Sequence, residues 1–161
     1  MVCGDVRYVK VYFYDGNDKK EIVMDNLIFR KIWQDENLIE LKISANCEFV
    51  LAYQNCYIHD MILEKISEEI QNYVVNYNSP CYLEFGQKKG NYTQAFSMYL
   101  LPLETSGHTK IEVDIEIADN DARSHRCCFY IKSELGLIER LGLSLKGLVT
   151  ASCGEEIRLN E

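Results

Sequence analysis

The sequence predicts an α+β fold: a largely antiparallel sheet with a central and a C-terminal helix packed on it. Two patterns carry this prediction. Apolar and polar residues alternate in the first and last thirds, the period-two signature of half-buried strands. Two other stretches repeat apolar residues at three- and four-residue steps, the signature of amphipathic helices. The chain has 161 residues and only two prolines, and roughly 100–200 residues is usual for one domain. No Ser/Gly/Pro-rich linker divides it, so residues 1–161 read as a single domain.

The first strand is expected where Val9, Val11 and Phe13 alternate with Tyr8, Lys10, Tyr12 and Tyr14. Asp15-Gly16-Asn17-Asp18 is a turn, because Gly and Asn accept positive φ. Lys19–Met24 returns as a hairpin partner. The period of Leu27–Trp33 fits a strand and a short helix equally. Ile39, Leu41 and Ile43 alternate again, as do Cys47, Phe49, Leu51 and Tyr53. The central helix follows, with Ile58, Ile62, Ile66, Ile70, Tyr73, Val74 and Tyr77 on its apolar face and Asp60 at its first turn. Asn78-Ser79-Pro80 ends it.

Strands resume at Cys81–Phe85 and Thr93–Leu103. The cleanest strand has Ile111, Val113, Ile115 and Ile117 on one face and Glu112, Asp114 and Glu116 on the other. A polar turn at Asp119–Ser124 leads into His125–Lys132. With that turn centred near Asp121, Glu116 faces Arg126 and Glu112 faces Tyr130. Ser133 caps a last helix that runs to about Val149, burying Leu135, Ile138, Leu141, Leu145, Leu148 and Val149. Gly136, Gly142 and Gly147 weaken that helix unless they allow close packing on the sheet. The tail beyond Cys153 is expected to fray.

Charge narrows the partners. Seventeen Lys and Arg stand against 25 Asp and Glu, a net charge of −8. Phosphate backbones need clustered Lys and Arg, so nucleic acid is not the expected partner. An acidic surface attracts basic proteins instead. No run of about 18 apolar residues suggests a membrane span, and no secretory leader is visible. The seven cysteines form no CxxC, and reduced thiols in a cytoplasmic protein are the expected state.

The acidic row Glu112, Asp114 and Glu116 is the most conspicuous chemical feature. Alternate strand positions put three carboxylates on one face. Such a face can ligate a hard cation, with His125 as a further ligand. It can equally be a solvated or partner-facing surface with cross-strand ion pairs, which is the favoured reading. His125-Arg126-Cys127-Cys128 lacks paired zinc-ligand spacing. No cysteine sits in a recognisable nucleophile motif with His59, His108 or His125. Gly86–Gly90 lacks the phosphate-loop pattern. No cofactor is implied.

Tyrosine is abundant, and Tyr8, Tyr12 and Tyr14 would line one face of the first strand. Tyrosine suits interfaces because it joins a large contact area to one polar end. The expected function is therefore a non-enzymatic acidic module that binds a basic protein through Tyr8, Tyr12, Tyr14, Glu112, Asp114 and Glu116. In overall profile the chain resembles small acidic bacterial immunity proteins that neutralise toxins, although no motif carries that resemblance. Two alternatives stay open. One is a divalent-metal enzyme or metal-binding protein using Glu112, Asp114, Glu116 and His125. The other is a homodimer or larger scaffold joined through an exposed strand edge.

Overall fold

The computed structural model describes the backbone of residues 10–11 and residues 24–88, 95–116 and 126–160. Tyr8, Tyr12, Tyr14, Ile117, the 119–124 turn and His125 lie outside the described residues. Within them the α+β class holds, with antiparallel sheets and a central and a C-terminal helix.

The strands divide between two sheets. The first has the order β1 (Lys10–Val11), β4 (Val50–His59), β3 (Leu38–Asn46), β2 (Asn26–Asp35) and β9 (Glu156–Arg158). The second is the meander β5 (Cys81–Gly86), β6 (Ala95–Leu100), β7 (His108–Glu116) and β8 (Arg126–Glu134). Helices carry the chain between them. α1 (Asp60–Val75) links β4 to β5, and α2 (Leu135–Gly147) links β8 to β9.

The sequence suggests one sheet with helices on its apolar face. Here the apolar faces of two sheets meet each other. Phe29 of β2 reaches across to Phe85 and Phe96, at ring-centroid distances of 5.1 and 6.2 Å. Around this trio lie Leu41, Ile43, Met98, Val113 and Ile131, all fully or almost fully buried. Gln54 of β4 crosses the same interior and donates Nε2–H to the Glu116 carbonyl at 3.2 Å. α1 touches β4 and β5, α2 touches β8 and β9, and the two helices pack side by side.

Gly142 is what brings the helices together. A Cβ there would stand 2.6 Å from Ile70 Cγ2 and 2.8 Å from Gln71 Nε2. Ser67 uses the close approach to donate its hydroxyl to the Gly142 carbonyl at 2.6 Å. So the glycine opens a contact with α1 and not with a sheet, while Gly136 and Gly147 have nothing within 4 Å of such a Cβ.

Several element boundaries differ from the sequence reading. Cys47 and Phe49 precede β4, and Ala52, Gln54, Cys56 and Ile58 are its inward residues, so Leu51 and Tyr53 face out. Ile58 is the last inward residue of that strand and is not on the helix. In α1 the buried face is Leu63, Ile66, Ser67, Ile70 and Tyr73, leaving Ile62 and the later Tyr77 exposed. Ser133 belongs to β8, and Glu134 is the N-cap of α2.

The tail is not frayed. β9 pairs with β2, and Leu159 is buried. Its anchor is Lys31, a lysine on the inward face of β2 and only 1% exposed. The Lys31 ammonium donates to the carbonyls of Leu148, Val149 and Ala151 at 2.9, 3.0 and 2.6 Å. Leu148 is the C-cap of α2, and Val149 and Ala151 follow it in the turn just beyond, where the helix dipole also favours a cation. Backbone bonds between Lys31 and Gly154 and Glu155 close the same junction.

Candidate functional site

The outward face of the second sheet gathers the acidic row. Register places Tyr82 beside Tyr99, Tyr99 beside Glu112, and Glu112 beside Tyr130. The next row runs Glu84, Ser97, Asp114, Cys128. Glu116 stands opposite Arg126, so both cross-strand pairs expected from the sequence are present.

The acidic row nevertheless splits into two unlike halves. Asp114 is nearly buried, with a side chain 8% exposed. Its Oδ1 accepts from Arg126 Nε at 2.8 Å, and its Oδ2 accepts from Lys88 Nζ at 2.9 Å and from the Arg126 terminal nitrogen. Lys88 also lies 3.5 Å from Glu116, and Arg126 Nε lies 3.9 Å from it. Burial works to raise the Asp114 pKa. The hydrogen bonds and charges of Arg126 and Lys88 outweigh it and hold the carboxyl below its usual range. The same pairing raises the Arg126 pKa. This half is two carboxylates against two cations.

Glu112 and Glu84 form the other half with three exposed tyrosines. Tyr130 donates its hydroxyl to Glu112 at 2.7 Å, and Tyr82 donates to Glu84 at 2.7 Å. The Lys88 backbone N–H gives Glu84 a second bond at 3.1 Å. The rings of Tyr82 and Tyr99 lie 5.7 Å apart in a tilted contact. Tyr82, Tyr99 and Tyr130 are 45, 37 and 52% exposed. Burial, then the bond to Glu84, pushes the Tyr82 phenol up to about 12. The Glu112 bond raises Tyr130. Both hydroxyls therefore remain donors at neutral pH. Among the described residues, no side-chain cation pairs with Glu84 or Glu112.

This arrangement suits a guanidinium or ammonium group. Such a cation can stack on a tyrosine face and bond a carboxylate whose other side is already fixed. A metal ion meets a poorer offer. Asp114, the centre of the row, has both oxygens taken by cations, and no group of three or more His, Cys, Asp or Glu is placed to hold a metal among the described residues.

The sequence puts the three acids on one strand face and Tyr130 opposite Glu112, as the register has them, but gives no sign of Tyr82 and Tyr99 beside them. Each sits on a different strand, and only the register joins them. Lys88 was also missed, since it reaches in from the segment after β5.

Other surfaces are less selective. On the first sheet Trp33 meets Tyr57 edge-on at 6.3 Å and Lys42 lies 4.5 Å over Tyr53, with Arg158 paired to Glu156 nearby. A cleft of about 400 Å³ is lined by Asp25, Glu48, Lys110 and Lys132 together with Met24, Phe49 and Tyr130. Its opposite charges balance and favour no ligand charge. A second cleft of about 360 Å³ beside Cys81 and Tyr73 holds a thiol pushed up to about 11 by burial and then by Glu69, a poor nucleophile. No helix among the described residues is long and apolar enough to cross a membrane.

Comparison with protein-family models, curated proteins and solved structures finds no match to the chain.

Proposed function

We propose that the protein is a non-enzymatic binding module that presents the outer face of its second sheet to a basic protein, in the manner of an acidic immunity protein that neutralises a toxin. The observation that carries this reading is the pair of carboxylates, Glu84 and Glu112, held by tyrosine hydroxyls among three exposed rings. The net charge of −8 steers a basic partner toward the molecule. Tyr99, between the two tyrosine–glutamate pairs, is the natural centre of the contact. Asp114 and Glu116 act as structural supports, because Lys88 and Arg126 already neutralise them.

The test is affinity capture from host extract at low and high salt, with wild type beside Tyr99→Ala and Glu112→Gln. A stoichiometric basic protein that is released by salt and lost from both variants is the expected result. Capture of no such protein, or equal capture by all three, would overturn the reading.

A further inference from the structure

We propose that the open edge of β8 pairs antiparallel with the same edge of a second copy, in a register centred on Tyr130. This inference is independent of the basic partner.

The direction of the backbone groups comes first. The Lys132 N–H points away from β7, because it donates to Asp25 Oδ2 at 2.7 Å. The Lys110 carbonyl, opposite Lys132, accepts from Leu101 N–H and so points away from β8. Both facts put the same alternate residues of β8 on the open side. Arg126, Cys128, Tyr130, Lys132 and Glu134 therefore direct their main-chain groups outward. Among the described residues, none bonds the Cys128 or Tyr130 N–H.

The edge is also long and regular. β8 is the terminal strand of its sheet and has nine residues with an unbroken register against β7. A typical strand has about 5–6. β8 contains no proline and no bulge, two common ways of blunting an edge.

Charge then selects the occupant. Centred on Tyr130, Arg126 faces the partner's Glu134 at both ends of the ladder. Cys128 faces the partner's Lys132, and Phe129 faces the partner's Ile131 on the buried side. Centring on Phe129 instead sets Arg126 against the partner's Lys132, a like-charge pair. Centring on Ile131 leaves Arg126 with no residue opposite. A slip by a single residue would set buried side chains against exposed ones. Arg126 is 54% exposed even while bound to Asp114, and a guanidinium has donors to spare.

In this register the two Tyr130 residues exchange both of their main-chain bonds. Each Cys128 N–H meets the carbonyl of the partner's Lys132, and the partner's Cys128 carbonyl replaces Asp25 as the acceptor of the Lys132 N–H. The four-stranded sheets become one continuous sheet, and their tyrosine faces lie side by side.

Sedimentation velocity across a wide concentration range, with hydrogen exchange at a dilute and a concentrated point, tests the proposal. The expected result is a reversible dimer in which the Cys128 and Tyr130 amides become protected as concentration rises. Glu134→Arg should weaken the dimer about tenfold, because it turns both end pairs repulsive. Tyr130→Pro should abolish it while circular dichroism stays native, since proline is tolerated where an edge N–H faces outward. A monomer at every concentration would overturn the proposal. So would a dimer with unprotected Cys128 and Tyr130 amides, or one indifferent to Glu134→Arg.

Discussion

Replacing Gly142 with alanine should destabilise the protein, although alanine is the better helix former. The propensity gain is about 1 kcal/mol in a helix interior. Against it stands a Cβ placed 2.6 Å from Ile70 Cγ2 and 3.0 Å from Ile70 Cβ. Ile70 is fully buried, and its β-branched side chain has essentially one rotamer open to it in a helix. The methyl has nowhere to turn, so the helices must separate. Overpacking of this kind costs roughly 1–3 kcal/mol. Separation also stretches the Ser67–Gly142 bond of 2.6 Å, a contribution of about 0.5–1.5 kcal/mol. The net loss centres near 2 kcal/mol, and at about 2–4 °C per kcal/mol for this size the midpoint falls by roughly 4–8 °C. Gly136→Ala is the internal control. It meets nothing within 4 Å and should hold or raise stability by up to about 1 kcal/mol. Urea unfolding followed by circular dichroism and by the single tryptophan, Trp33, reads both variants. A Gly142→Ala protein as stable as Gly136→Ala would refute the close approach.

Lys31→Met keeps the side-chain length but strips the donor from three carbonyls at the C-cap of α2 and in the turn beyond it. A loss of about 1–3 kcal/mol is expected, with faster hydrogen exchange concentrated in residues 148–155; unchanged exchange there would remove Lys31 as the anchor. Asp114 has a depressed folded-state pKa, so the native state binds fewer protons than the unfolded chain in acid. Its stabilisation is full above the unfolded value of about 3.9 and is lost as pH falls through the folded one. Asp114→Asn should therefore be less stable at pH 7 and show a shallower acid decline, measured by urea midpoints from neutral to strongly acidic pH. Cys81, with its thiol pushed up to about 11, should label far more slowly at pH 8 than exposed Cys153, as mapped by mass spectrometry after timed alkylation.

Much of the fold is legible where a strand has one clean face. Ile111, Val113 and Ile115 against Glu112, Asp114 and Glu116 gave a strand, a hairpin and the correct pairing with Arg126 and Tyr130. β2 resisted the same reading for two physical reasons. Its register shifts between Lys31 and Trp33, which breaks the period, and a lysine occupies an inward position. Alternation also reveals that a face is buried without revealing what covers it, so a second sheet and a helix look alike from the sequence. The acids of the candidate site were visible as a row. Their division was not, because Lys88 is distant in sequence from Asp114 and only the folded chain brings them to 2.9 Å. Tyr82 and Tyr99 were hidden for the same reason, each ring joining Tyr130 from its own strand.

The return of β9 to the first sheet has a consequence for biosynthesis. β2 emerges from the ribosome early and pairs with β3 through a short turn, but its other edge is covered only by residues 156–158. The whole second sheet and both helices must be made before that cover exists. During this interval β2 displays an open edge and an inward lysine whose three carbonyl partners have not yet been synthesised. The nascent chain is thus most exposed to strand mispairing and chaperone capture along β2, and release comes when the α2 terminus closes over Lys31.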